Sequence, residues 1–215
     1  MSYDPQLLDS ASHRLIAALR GKAIFHQGDP ASALYRVEHG CVRLQIGDAA
    51  GSRQVIAFVF AGQTFCAGME THWASAHAIT DTVLSRFPHV ALWDLVARDS
   101  RAALNLLLSA DELLTDLAHH LGRMSHSDAY ERITWFVDWV AKQTKAPPGG
   151  TLDIPMSRHD IADFLGIAPE TVSRLFRRME STGRLRRVAP RRFSYHPSAA
   201  ACIAVQTEVG DQAAA

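Results

Sequence analysis

Two patterns of apolar and polar positions divide the chain. Up to about residue 95, short apolar runs alternate with turn signals; beyond it, apolar positions recur at helical spacing. Turn signals fall at Gly28-Asp29-Pro30, Glu38-His39-Gly40, Gly47-Asp48, Ala50-Gly51, Ala61-Gly62 and Gly68. Between them lie runs such as Leu34 to Val37, Val42 to Ile46 and Val55 to Phe60. Many short strands punctuated in this way predict a β-sandwich or small barrel. From about Ala91 the pattern turns helical. Within Ser100 to Met124 one register holds Leu107, Leu114 and Leu121 and the other Ala103, Ala110, Leu117 and Met124, as the a and d positions of a coiled coil would. The repeat predicts a dimer seam of Leu107, Ala110, Leu114, Leu117, Leu121 and Met124. The extra leucines Leu104, Leu108 and Leu113 suggest that part of this helix packs on its own barrel.

The polar stretch Ser125-His126-Ser127-Asp128 reads as a hinge, with Ser127 or Asp128 capping a helix from Ala129 to Lys142. Pro147-Pro148-Gly149-Gly150 stops it, and a brief extended piece follows, Thr151 to Met156. Ser157-Arg158-His159-Asp160 then has the form of a capping-box helix start, and Gly166 ends that helix. After Ile167-Ala168, Pro169 opens a second helix that runs to about Ser181 and is stopped by Gly183. Two short helices joined through a turn of this kind predict a helix-turn-helix.

The second helix carries two stripes. Val172, Leu175, Phe176 and Met179 form an apolar one; Glu170, Ser173, Arg174 and Arg177 form a polar one, centred about 150° away at 100° per residue. The apolar stripe can seat the helix on its domain while the polar stripe enters a major groove. Arginine donates two bonds to guanine, glutamate accepts from cytosine, and serine is a short adaptable contact, so Glu170, Ser173 and Arg174 are the expected base readers. Glu170 and Arg174, four apart, are placed to orient each other by an ion pair. Downstream, Arg184 to Val188 and Arg192 to His196 read as two strands about the Ala189-Pro190-Arg191 turn, a wing.

Charge sharpens this picture by its distribution, since the totals, 22 basic and 22 acidic residues, cancel. Between Glu170 and His196 stand eight arginines against two acids. That cluster marks a surface for phosphates, with Ser157, Arg158, Thr171, Arg177, Arg178, Arg187, Arg191 and Arg192 as expected backbone contacts. The expected partner is double-stranded DNA. The three cysteines, Cys41, Cys66 and Cys202, are scattered and form no C-x-x-C pair, which excludes a disulfide framework or zinc finger and suits a reducing cytoplasm. No apolar run is long enough to span a membrane, so a cytoplasmic protein without a membrane partner is expected. No H-x-H, Ser/His/Asp or phosphate-loop context points to an enzyme, which argues against a cupin-like metalloenzyme with an appended DNA-binding domain. A protein–protein module that uses the leucine seam alone is the remaining alternative class.

Met156 to Gly166 followed by Glu170-Thr171-Val172-Ser173-Arg174 resembles the signature of the CRP/FNR superfamily of bacterial transcription regulators, and Phe25 to Pro30 resembles its barrel turn. The resemblance covers nearly the whole chain. It implies an α+β fold: a cyclic-nucleotide-binding-like jelly roll over residues 1–97, a dimerisation helix over 98–126 and a winged helix-turn-helix over 127–215. The E-x-x-S-R arrangement is similar to that of the FNR and FixK branch, which implies TTGAT-type half-sites in an inverted repeat. A homodimer would read it with centres about 34–36 Å apart. A regulator of this branch that activates transcription would have RNA polymerase as a further partner. One departure is Ala168 at the cap of the recognition helix, where many relatives place Thr or Ser.

For the signal, the resemblance places the effector loop at Cys66, Glu70, His72 and His77. Between Phe60 and Thr80 there is no arginine to meet a cyclic nucleotide's phosphate, which argues against cyclic AMP. Three cysteines, the first at Cys41, do not supply the four thiolates of an iron–sulfur cluster. Haem or a metal on Cys66, His72 and His77 stays open beside the reading of these as ordinary solvated or core side chains. Response to oxygen, redox state or nitric oxide, and effector-free control by abundance or oxidation, are the two regulatory alternatives.

Overall fold

The computed structural model of the chain describes residues 5–47 and 53–197. The turn signals at Asp48 and Ala50-Gly51, and Cys202, lie outside the described residues. The chain divides into two compact units, Met1–Gly122 and Arg123–Ala215.

In the first unit a 3-10 turn, Pro5–Ser10, precedes eight strands: β1 (Arg14–Ala18), β2 (Ala23–Phe25), β3 (Ala33–His39), β4 (Cys41–Gly47), β5 (Arg53–Phe60), β6 (Thr64–Phe65), β7 (Ser75–Ala78) and β8 (Thr82–Pro88). They form two four-stranded antiparallel sheets, β1-β8-β3-β6 and β2-β7-β4-β5. This is a jelly roll. Its core takes side chains from both sheets, among them Phe25, Tyr35, Val37, Val42, Leu44, Val59, Phe65 and Leu84. The period of two that buries Val42 and Leu44 leaves Arg43 and Gln45 only half-buried on the other face. Gly40, with φ of 93°, makes the β3–β4 turn, and a Cβ there would lie 2.6 Å from the Asp81 carbonyl oxygen.

Two helices follow, α1 (His89–Arg98) and α2 (Ser100–His126). Asp99 breaks the run with extended backbone, and its carboxylate accepts from Arg101 N at 2.9 Å at the start of α2. A second cluster of Leu8, Ala11, Phe87, Leu95 and Ala102, with Leu92, Val96 and Leu106 beside it, holds both helices against β8. The face that α2 turns inward differs from the expectation. Ala102, Asn105 and Leu106 point inward, whereas Leu104 and Leu113 are each 41% exposed. The expected seam leaves Leu107, Ala110, Leu114 and Leu121 exposed and Leu117 half-buried.

The second unit packs three helices, α3 (Ala129–Gln143), α4 (Arg158–Leu165) and α5 (Pro169–Ser181), with a sheet of order β10-β11-β9. Its strands are β9 (Thr151–Asp153), β10 (Leu185–Ala189) and β11 (Arg192–Tyr195). Asp128 caps α3 by accepting from Tyr130 N and Glu131 N, and the Glu131 carboxylate accepts in return from Asp128 N, a full capping box. Ile133, Phe136, Val137 and Val140 of α3, Ile161, Phe164 and Leu165 of α4, and Val172, Leu175, Phe176 and Met179 of α5 are buried, with the Phe136 and Phe164 rings 6.0 Å apart.

The last turn of α2 belongs to this second unit. Arg132 donates to the carbonyls of Ser127 at 2.9 Å, Met124 at 2.8 Å and Leu165 at 3.2 Å, stapling that turn to the end of α4. Met124, expected in the seam, is half-buried there, and a Cβ on Gly166 would come within 2.5 Å of its methyl carbon. Gly166 sits at φ of 60°, so the cap of α4 favours glycine for its backbone.

Candidate nucleic-acid interface

Local sequence builds the two helices of the interface. Ser157 Oγ accepts from Asp160 N at 3.0 Å, and Asp160 accepts in return from Ser157 N at 3.1 Å and from its hydroxyl at 2.7 Å. The Ser157 hydroxyl, expected to meet a phosphate, is thus engaged in starting α4. At the start of α5, Ala168 makes no side-chain cap and Pro169 presets the first helical φ.

The opposed stripes of α5 are present as arranged by its periodicity. Val172, Leu175, Phe176 and Met179 are buried, while Glu170, Arg174 and Arg177 are exposed and Ser173 is half-buried. Ser173 Oγ donates to the Pro169 carbonyl at 3.1 Å, which leaves its lone pairs available to an incoming donor. Arg174 does not pair with Glu170; its guanidinium leans to Thr171 Oγ1 at 3.5 Å. Both charges of the polar face are therefore exposed and not paired with each other.

Beside this face lies a groove of about 760 Å³ between the first turn of α4, the first turns of α5 and the wing. Arg158, Arg177, Arg187 and Arg191 line it, together with Ser157, His159, Glu170 and Ser173. Sequence reasoning missed His159, whose position next to Arg158 in the first turn of α4 was the available signal. Arg191 turns the wing with φ of 67°, left-handed backbone at which a non-glycine residue is uncommon. Burial, and then the nearby Arg187 and Arg191, push the Arg158 guanidinium down to about 10, with Glu180 opposing. Cations crowded this closely are relieved by an anion, so the groove's electrostatics favour phosphate.

Not every arginine of the cluster is free for that task. Arg184 donates to both carboxylate oxygens of Asp138 at 2.7 and 2.8 Å, and both side chains are 13% exposed. Arg192 pairs with Asp153 at 2.7 Å and Arg187 with Glu180 at 2.6 Å, both at the surface. Arg178 lies over the Tyr130 ring at 4.2 Å, facing α3. The excess counted along the sequence is smaller in space, because Asp138 and Asp153 come from outside the counted segment. Exposed pairs contribute about 0–1 kcal/mol and exchange readily for phosphate, so Arg187 and Arg192 keep that capacity and Arg184 does not.

The candidate effector residues lie apart. Among the described residues no three His, Cys, Asp or Glu side chains come close enough to hold a metal ion. Cys66 is half-buried with its thiol donating to the Gly68 carbonyl at 2.9 Å, and burial pushes its pKa up. Glu70 is exposed, and His77 sits on β7 with its ring 6.0 Å from that of His26. His72 is buried, stacked on Phe25 with ring centroids 3.6 Å apart. Backbone bonds tie its loop to the β2–β3 turn, from Gly28 N to the His72 carbonyl at 2.8 Å and from His72 N to the Asp29 carbonyl at 2.9 Å.

Desolvation holds the His72 imidazole below the usual histidine value of 6.5, outweighing an Ala67 backbone bond and Asp29. The unfolded chain binds this proton more readily than the native one. Stability is therefore full above the unfolded value and is lost as the pH falls below it toward the native one. The midpoint of thermal unfolding of the N-terminal unit should drop between pH 8 and pH 5, and His72→Phe should flatten that slope. Equal slopes in the two proteins would remove His72 as the cause.

A jelly roll, a long helix with an exposed leucine stripe and a winged helix-turn-helix with a cationic groove define a DNA-binding regulator. The chain matches the cyclic nucleotide-binding domain family over residues 16–99 and the Crp-like helix-turn-helix domain family over residues 117–195. The nitrogen fixation regulation protein FixK of Rhizobium meliloti is 36% identical over 172 residues, covering 78% of this chain and 76% of that protein. The transcriptional activator protein Anr of Pseudomonas aeruginosa is 28% identical over 185 residues, covering 84% and 76%. The structure of FixK2 from Bradyrhizobium japonicum superposes with a TM-score of 0.79 at 26% identity, over 86% of this chain and 92% of that one. The chain belongs to the CRP/FNR family of transcription regulators, in its FixK-like branch. It is a DNA-binding transcription regulator. The family-typical cyclic nucleotide does not fit the residues present, because the loop around the exposed Glu70 carries no arginine and His72 resists protonation. No helix among the described residues is long and apolar enough to cross a membrane.

Proposed function

We propose that the chain acts as a homodimeric transcription activator that grips an inverted repeat of TTGAT-type half-sites. Residues 1–97, 98–126 and 127–215 serve in this reading as regulatory barrel, dimerisation helix and DNA reader. The observation that carries it is α5, anchored by buried Val172, Phe176 and Met179 and bare at Glu170, Arg174 and Arg177. Glu170, Ser173 and Arg174 read base edges. Arg158, Arg177, Arg187 and Arg191 hold phosphates around the groove, with Ser157, Thr171, Arg178 and Arg192 at its flanks. Names such as transcriptional activator protein Anr support activation, and with it RNA polymerase as a partner.

The test is a gel shift at fixed salt on an inverted TTGAT-type repeat and on a scrambled duplex. Arg174→Ala should lose about 1–3 kcal/mol of discrimination at one base pair of each half-site and leave scrambled binding nearly unchanged. Equal affinity for both duplexes before and after the substitution would end the reading.

For the signal, the stacked and stitched His72 loop favours control by abundance or oxidation over a small ligand in the barrel. A change of DNA affinity on adding cyclic AMP, haem or nitric oxide would overturn that choice.

A further inference from the structure

Two phenyl rings under the DNA-facing side of the second unit are each covered by a guanidinium. Arg158 Cζ stands 3.4 Å from the centroid of Phe176, and Arg187 Cζ stands 4.9 Å from that of Phe193. The two rings touch each other, 5.8 Å between centroids and tilted by 49°. The layers therefore run Arg158, Phe176, Phe193, Arg187, and each comes from a different element: α4, α5, β11 and β10 in turn. Both rings are 1% exposed, and the two arginines line the same groove. At 3.4 Å a guanidinium fits over a ring only face to face, which turns its N–H groups sideways rather than into the ring.

We propose that Phe176 and Phe193 are positioning residues for DNA: they hold Arg158 and Arg187 as a preformed clamp for backbone phosphate and fix the wing in register with the recognition helix. The proposal rests on the DNA-binding reading above and goes beyond it by assigning a role to two buried residues that touch no nucleotide. The physical reason is entropy. A free arginine side chain gives up much rotamer freedom on binding a phosphate, whereas one already held flat on a ring gives up little. Burial first, and then the nearby Arg187, lower the Arg158 value, as expected of a guanidinium held down on a ring with a second cation beside it. Glu180, bonded to Arg187 at the far end of α5, is a surface partner that a phosphate can replace.

The experiment uses the full chain and measures affinity against salt for the inverted repeat and for scrambled DNA. Phe176→Leu removes no charge and keeps an apolar side chain in the core. It should nonetheless weaken both duplexes by about three- to tenfold. It should also make the slope of log affinity against log salt shallower by about one per subunit, because a phosphate contact is lost. In an Arg158→Ala background the same substitution should change neither affinity nor slope further. A purely structural role for the ring predicts a lower Tm, an unchanged salt slope in the folded fraction and additive effects with Arg158→Ala; that result overturns the proposal. If Phe176→Leu does not fold, Phe193→Leu is read in the same way against Arg187→Ala. A wild-type protein that binds neither duplex would instead defeat the DNA-binding reading itself.

Discussion

Replacing Asp138 with alanine should destabilise the C-terminal unit by about 3–5 kcal/mol, the cost of leaving a buried cation without its counter-charge. Asp138 receives two bonds from Arg184 and one from the Tyr195 hydroxyl at 2.7 Å, and the ion pair is nearly sealed from solvent at 13% exposure on each side. The three groups come from α3, the start of the wing and its second strand, so the loss falls on the joint that ties wing to helices. Urea unfolding followed through Trp135 and Trp139, both on α3, reads it directly. The companion variant in which Asp138→Leu and Arg184→Met are combined should recover most of the stability, since an apolar pair needs no solvent. At temperatures where Arg184→Met stays folded, its DNA salt slope should equal that of the wild type. A slope shallower by about one would show Arg184 to be a phosphate contact instead.

That network marks the boundary of what could be read in the sequence. The helix-turn-helix was legible because its signals are local. The capping box of Ser157 and Asp160, the left-handed Gly166 and Pro169 at the first helical position each act within a few residues, and α4 and α5 begin and end where those signals stand. The two opposed faces of α5 were legible for the same reason, since one period fixes both stripes. What was not legible is long-range. Eight arginines in one segment looked like a phosphate surface, and only the fold brings Asp138 and Asp153 to Arg184 and Arg192. The Glu170–Arg174 pair is absent, and Arg174 leans to Thr171 instead.

The long helix failed in a different way. Hydropathy assigned its inward face to Leu104, Leu108 and Leu113, yet the residues that meet the barrel are Ala102, Asn105 and Leu106, with the Ser109 hydroxyl bonded to that of Thr64. Close approach to a sheet selects small or hydrogen-bonding side chains, which a hydropathy count scores as solvent-facing. Leu104 and Leu113 are left outside, and Leu108 is half-buried. The strands were legible as a class, with β3, β4 and β5 placed as apolar runs between turn signals. The pairing of β8 between β1 and β3 depends on contacts far apart in the chain and was not.

Those outward leucines set the second large expected effect. Leu107, Leu114 and Leu121 are 65%, 64% and 58% exposed in the protomer, one heptad apart on a single face. Covering a leucine gains about 1.5–3 kcal/mol, and in a two-fold interface each position counts twice. Leu114→Glu should therefore cost about 3–6 kcal/mol of association before the burial of two like charges is added. Sedimentation at micromolar concentration should then show a protomer where the wild type shows a dimer. Affinity for the inverted repeat should fall by at least about 100-fold, because each half-site is then held alone. Since Leu114 is largely exposed in the protomer, the substitution should leave the far-ultraviolet spectrum and the midpoint of the C-terminal unit in place. A Leu114→Glu protein that sediments as a dimer and binds the repeat at wild-type affinity would show that this stripe is not where two copies meet, and would move the search to another face of the N-terminal unit.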